Sequence, residues 1–121
     1  MSISTYGKNS ILNAMFNATA YSETNTWLSY HTADPGLTGA NEVTGGSYAR
    51  QQMSFGTVAA GAVANDTAET TTMPAVTATH WGLWNAVSTG DFLWGGPLNA
   101  STVFAASETA ELASGDLDII L

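Results

Sequence analysis

Apolar and polar positions follow a helical period at the start of the chain. Within residues 4–17, apolar side chains recur at intervals of three and four residues, at Ile11, Leu12, Met15 and Phe16. This spacing places them on one face of an α-helix, and Ser4 or Thr5 is suited to cap its first turn. Gly7 and three asparagines lower the helix propensity of this segment. We therefore expect a short helix that persists by docking its apolar face onto a larger structure.

From Thr26 onward the pattern changes to short runs of aromatic and β-branched residues, interrupted by Gly, Pro, Asn and Asp. Such runs predict strands. The predicted strands cover residues 26–32, 48–55, 67–73, 77–86, 92–94, 102–106 and 117–121. Because strands do not alternate with helices, we predict a mainly β fold: a compact antiparallel β-sandwich or small barrel, jelly-roll-like, with one short N-terminal helix. We expect a single β domain over residues 1–121, with its helical segment at about 4–17 and its β core at about 26–121.

The clearest hairpin joins residues 80–87 to residues 92–94 through the Gly-containing turn at 88–91. Alternation along the two arms places one set of apolar side chains on a common face: Trp81, Leu83, Phe92 and Trp94. Trp84 is expected on the opposite face. The last strand alternates at first and then becomes wholly apolar, which indicates burial in a sheet or in a subunit contact.

Charge narrows the range of partners. The chain has two cations, Lys8 and Arg50, against ten carboxylates, for a net charge of −8. It cannot neutralise a run of phosphates, so we expect no nucleic acid as a partner, and anionic membrane surfaces are disfavoured for the same reason. No apolar run approaches the roughly 20 residues that span a bilayer, so we expect no membrane partner. The absence of cysteine excludes disulfides and thiolate chemistry.

The segment 31–50 concentrates candidate chemistry. His31 with Asp34 and Glu42 has the residue types of a catalytic base with its acid, or of three metal ligands. The spacing is typical of neither, so we assign no catalytic, cofactor-binding or metal-binding residue and expect neither a cofactor nor an enzyme. We interpret the segment as an ordered loop in which Arg50 pairs with Glu42 or Asp34 and caps carbonyls. Asp34, Glu42 and Arg50 are therefore the predicted loop-structuring residues.

Two pairs of carboxylates are also considered, Glu108 with Glu111 and Asp116 with Asp118. A glycosidase needs two facing acids, and oxygen-rich loops bind calcium. Because both pairs are predicted beside turns, we interpret them as solvated loop acids, with divalent-ion binding as the alternative.

Aromatic residues are candidates for core, interface or a sugar-stacking platform. The set comprises Trp27, Tyr30, Trp81, Trp84 and Trp94. Strand aromatics are most often core, and we retain Trp84 and Tyr48 as interface candidates.

Several segments resemble a family of small virion proteins of tailed phages. They are residues 28–36 (LSYHTADPG), 38–43 (TGANEV), 45–51 (GGSYARQ), 79–85 (THWGLWN), 93–98 (LWGGPL) and 114–117 (SGDL). The resemblance implies a tail-fibre-like or capsid-decoration-like structural protein located in the virion and assembled in the host cytoplasm. It implies no catalytic residues.

Size and the absence of repeats then favour one position in the virion. We expect a capsid decoration (cement) protein that binds the assembled shell in many copies and stabilises it by non-covalent contacts. The alternative is a tail-tip or tail-fibre-associated module that binds a host surface glycan. The expected partners are the phage major capsid protein or other virion proteins, together with copies of the chain itself in a homo-oligomer, for which a trimer is one arrangement.

Overall fold

Nine strands and one helix make up the regular structure of residues 1–23 and 25–121, the part of the chain that the computed structural model describes. In chain order they are β1 (Ser2–Ile3), α1 (Thr5–Phe16), β2 (Thr26–His31), β3 (Gln51–Met53), β4 (Ala62–Ala64), β5 (Glu69–Met73), β6 (Val76–Trp84), β7 (Phe92–Phe104), β8 (Glu108–Leu112) and β9 (Asp118–Ile120). Every strand pair is antiparallel. The predicted fold class, mainly antiparallel β with one short N-terminal helix, is confirmed.

The five-stranded sheet has the order β1-β7-β6-β2-β3, so the predicted hairpin lies at its centre. The ranges 92–94 and 102–106, predicted as two strands, belong to the single strand β7. Gly95, Gly96 and Pro97 continue the pairing with β6, although these residue types usually mark a break. Gly95 is needed there because a Cβ would lie 2.8 Å from both the Phe92 ring and the Pro35 ring.

Two ribbons, β5–β8 and β4–β9, complete the fold. Strand β8 is absent from the prediction because its sequence, ETAEL, carries two exposed acids and only a weak apolar alternation. The core residues come from the central sheet, from both ribbons and from two connecting segments, which contribute Val43 and Leu117. They are Leu28, Tyr30, Val43, Met53, Met73, Ala78, Trp81, Leu83, Leu93, Ala110, Leu117 and Ile119. The final strand is buried only at Ile119, whereas Ile120 is exposed.

A bulge changes which side chains share a face of the hairpin. Leu83 pairs with Trp94, but Trp84 pairs with Phe92, so Leu93 is an additional residue in β7. Residues directly opposite each other lie on the same face of a sheet. The prediction that Phe92 shares the face of Leu83 and Trp94 is therefore wrong, and Phe92 packs edge-to-face against Trp84 at a centroid distance of 5.1 Å.

The helix contacts the sheet through its first turn. Ser4 caps it by accepting a hydrogen bond from the Gly7 amide at 2.9 Å, and Gly7 is the buried residue of α1. A Cβ at Gly7 would lie 2.8 Å from Ile3, which explains the glycine. Of the apolar stripe that the sequence predicts to dock, Ile11 is half-buried, but Leu12, Met15 and Phe16 remain 53%, 69% and 72% exposed within the chain.

Candidate functional site

Arg50 joins the 32–50 connection to the turn between β6 and β7. Its Nε and Nη2 atoms donate to the two carboxylate oxygens of Glu42, each at 2.8 Å, and the two side chains are 7% and 21% exposed. Its Nη1 atom donates to the carbonyl oxygens of Ala86 and Thr89 at 2.9 and 2.8 Å. A bidentate ion pair with two further carbonyl contacts matches the planar donor geometry of a guanidinium.

Trp84 lies beneath this guanidinium. The Arg50 Cζ atom is 3.8 Å from the ring centroid, a cation–π arrangement, and the indole Nε1 donates to Ser29 Oγ at 3.0 Å. Trp84 is 9% exposed. Its interface role stays a prediction; within the chain, Gly39 and Arg50 of the 32–50 connection lie against the indole ring.

His31 is part of the same buried network. Its Nδ1 atom lies 2.7 Å from the Ala40 carbonyl oxygen, which can only accept, so Nδ1 carries the proton. Its Nε2 atom then accepts from the Ser29 hydroxyl at 2.8 Å. Burial lowers the pKa of His31, and protonation of Nε2 would also oppose the Ser29 hydrogen bond. The imidazole is thus held neutral in one tautomer.

This arrangement predicts a pH-dependent stability. The pKa of His31 is lower in the folded chain than the reference value of about 6.5, so the unfolded state binds more protons in the window between the two. The free energy of unfolding should fall as the pH drops through this window. Urea denaturation at about pH 7.5 and about pH 5.5 measures the fall, which His31→Gln should reduce and His80→Gln should retain. A His31 ring that titrates at or above about 6.5 in NMR spectra would contradict the prediction.

Asp34 and Tyr48 occupy different places in the loop. Asp34 Oδ1 accepts a hydrogen bond from the Gly36 amide at 2.8 Å and so shapes the turn. Arg50 pairs with Glu42 and not with Asp34. The hydroxyl of Tyr48 donates to Glu42 Oε1 at 3.2 Å and accepts from the Tyr30 amide at 3.0 Å. Burial is the main cause that raises the pKa of Tyr48. Tyr48 is half-buried, and its interface role stays a prediction.

One member of each acidic pair contributes to a cleft that the sequence did not predict. We call it the β7–β8 cleft; it has a volume of about 520 Å³. Its lining comprises Leu28, Tyr30, Trp81, Pro97, Leu98, Asn99, Ala100, Thr102, Phe104, Thr109, Ala110, Glu111, Leu112, Asp116 and Leu117. Glu111 lies on β8 rather than in a loop, and Asp116 Oδ2 accepts from the Ala113 amide at 3.3 Å. These residues are distant in sequence, so local patterns could not reveal the cleft.

The described ranges 1–23 and 25–121 contain neither a metal-binding cluster nor a membrane-spanning helix. No group of three or more His, Asp or Glu side chains in these ranges is placed to hold a metal ion. In the same ranges, no helix has the length and apolar character needed to cross a bilayer.

Comparison with known protein families assigns this antiparallel β chain to the structural proteins of phage virions. Specifically, the chain belongs to the Gp80 family, described as podophage GP4 fiber I protein gp80, whose family model matches residues 2–120. The predicted resemblance to small virion proteins of tailed phages is confirmed. No curated protein matches the chain.

Proposed function

We propose that this protein is a structural module of a phage fibre and acts by binding rather than by catalysis. The observation that carries the proposal is the family match over residues 2–120, because the family is described as a fiber protein. The sequence-based preference for capsid decoration relied on chain length and on the lack of repeats. A named fibre family supports the alternative position more directly.

The exposed face of α1 is suited to attach the module to its neighbours. Leu12, Met15 and Phe16 form one apolar stripe, and burial of each is worth roughly 1.5–3 kcal/mol. The helix contains no acidic residue and carries Lys8, so in a chain with net charge −8 it adds no repulsion toward an acidic neighbour. We expect other virion proteins, and further copies of this chain in a homo-oligomer, to bind here.

Gold-labelled antibody against the purified protein, applied to intact virions, tests the fibre position. Label on fibres is the expected result, and label over the head lattice would contradict it in favour of capsid decoration. Attachment is tested in the same preparation with phage that carry Phe16→Ser, where fibre label should fall severalfold. Val103→Ser is the matched control, because Val103 is similarly exposed at 75% but lies on β7.

A further inference from the structure

One row of side chains on α1 is exposed along its whole length. Lys8, Leu12 and Phe16 follow one another at intervals of four residues, and all three are exposed. Residues four apart on a helix lie on the same face. The neighbouring row is the one that the chain itself covers, fully at Gly7 and partly at Ile11. The row from Lys8 to Phe16 is therefore available to a partner.

Charge restricts how a second copy of the chain can approach. Each copy has a net charge of −8, so two copies repel each other over most of their surfaces. No acidic residue occurs in α1 (Thr5–Phe16). Of the two basic side chains, Arg50 is buried in its pair with Glu42, so Lys8 is the exposed one. An approach through α1 brings no carboxylate of either helix into the contact.

The exposed row is complementary to itself when it is read in the opposite direction. Its successive members are about 6 Å apart along the axis, at about 1.5 Å per residue. When two α1 helices pack antiparallel with their Leu12 side chains adjacent, Lys8 of each copy lies beside Phe16 of the other. The ammonium group can then lie over the ring and the methylene stem against it. Rows at this spacing interdigitate in the commonest class of helix packing.

The C-terminal end of α1 favours the antiparallel orientation as well. Carbonyl groups in the last turn of a helix lack intrahelical donors and carry partial negative charge. Residues 13–16 include no basic side chain that could offset this charge. In the antiparallel pair, Lys8 of the second copy lies at this end and supplies the cation. A parallel pair would instead bring the two Lys8 side chains together.

We propose that α1 binds α1 of a second copy of this chain, in an antiparallel pair with two-fold symmetry centred on Leu12. A two-fold axis makes one patch serve both copies, so the contact closes at two chains. The inference rests on the attachment role that the proposed function gives to α1, and it names the occupant.

The size of the contact sets the strength of the pair. The helix has 12 residues, whereas a standard interface uses roughly 20–30 residues a side. We therefore expect a weak dimer of the free chain, with a dissociation constant on the order of 0.1 mM. Copies that are held close together in a virion would pair more completely, because their effective concentration is higher.

Single cysteines test the register, because the chain has none of its own. Leu12→Cys places two thiols beside the two-fold axis, within the roughly 4.4–6.8 Å Cα separation of a disulfide. Under mild oxidation it should form covalent dimers about tenfold or more faster than Val103→Cys, since only the former pair is held together. Val103 is the matched control because it is 75% exposed and lies on β7.

Mixed cysteine variants distinguish the antiparallel from the parallel pair. Lys8→Cys and Phe16→Cys should cross-link to each other faster than either does to itself, because like positions are about 12 Å apart along the axis. In a parallel pair, each variant would cross-link to itself. Faster self-linking of Lys8→Cys and Phe16→Cys would therefore overturn the proposed register.

Sedimentation equilibrium of the full-length chain, up to about 1 mM, measures the association itself. We expect a reversible monomer–dimer equilibrium. Leu12→Asp opposes two carboxylates across the axis and should raise the dissociation constant about tenfold or more, whereas Val103→Asp should leave it unchanged. Equal effects of the two variants would contradict the proposed contact.

Two further outcomes would overturn the pair. One is a chain that stays monomeric up to about 1 mM, well above the expected dissociation constant, which would leave α1 to another virion protein. The other is a mass of three copies. Either result would leave gold label on fibres unaffected, so only this inference would fail. Label over the head lattice, with a normal dimer in solution, would overturn only the fibre position.

Discussion

Replacement of Arg50 by methionine is expected to lower the free energy of unfolding by about 3 kcal/mol or more. The variant leaves the mostly buried Glu42 carboxylate without its partner and removes the donor to two carbonyl oxygens, those of Ala86 and Thr89. Removing one member of a buried ion pair costs roughly 3–5 kcal/mol, and the partial exposure of Glu42 places this case near the lower limit. Urea denaturation followed by tryptophan fluorescence measures the change.

Arg50→Lys distinguishes the geometry of the side chain from its charge. Lysine keeps the positive charge but cannot donate to both Glu42 oxygens and both carbonyls in one plane. We expect a smaller loss than for methionine and faster hydrogen exchange across residues 33–47. Lys8→Met is the control for removal of a cation, because Lys8 is exposed on α1, and its effect should stay within about 0.5 kcal/mol. An unchanged exchange profile over residues 33–47 in Arg50→Lys would count against the loop-structuring role.

Gly39→Ala is expected to destabilise the protein by about 3 kcal/mol or more. Gly39 has a φ of +81°, in the left-handed region that costs an L-residue roughly 1–2 kcal/mol. A Cβ there would also overlap the Trp84 ring and lie 2.9 Å from Phe92. Overpacking of this kind costs about 1–3 kcal/mol, and the two penalties act at one position.

Gly36→Ala is the matched control for this prediction. Gly36 lies in the same loop with a φ of +60°, but a Cβ there would meet nothing within 4 Å. It should therefore show the backbone penalty alone, about 1–2 kcal/mol. Thermal unfolding of the two variants compares them directly. Equal losses would mean that the loop does not press against Trp84.

Local patterns in the sequence were sufficient for several features. The helical period predicted α1, with Ser4 or Thr5 as its cap, of which the structure uses Ser4, and the Gly-containing turn predicted the central hairpin. The same reasoning anticipated that a planar guanidinium at position 50 would pair with Glu42 or Asp34, and the structure shows the Glu42 pair. These signals concern neighbours along the chain, where periodicity, capping and turn chemistry act directly.

Other features depended on contacts between distant segments. The strand β8 formed because β5 supplies a partner for a weakly patterned sequence, and the bulge at Leu93 moved Phe92 to the face of Trp84. The exposure of Phe16 followed from the way α1 meets the sheet at Gly7.

By itself, the sequence determined a mainly β chain with one capped N-terminal helix, a central hairpin, an acidic surface and a resemblance to phage virion proteins. Only the tertiary structure decided that Trp84 is covered by Arg50 and that Tyr30 and Glu111 line one cleft. The physical reason is that these arrangements arise from strand register and loop path, which depend on the packing of the whole chain. Residue spacing along the chain specifies local conformation, but not how distant segments pack against one another.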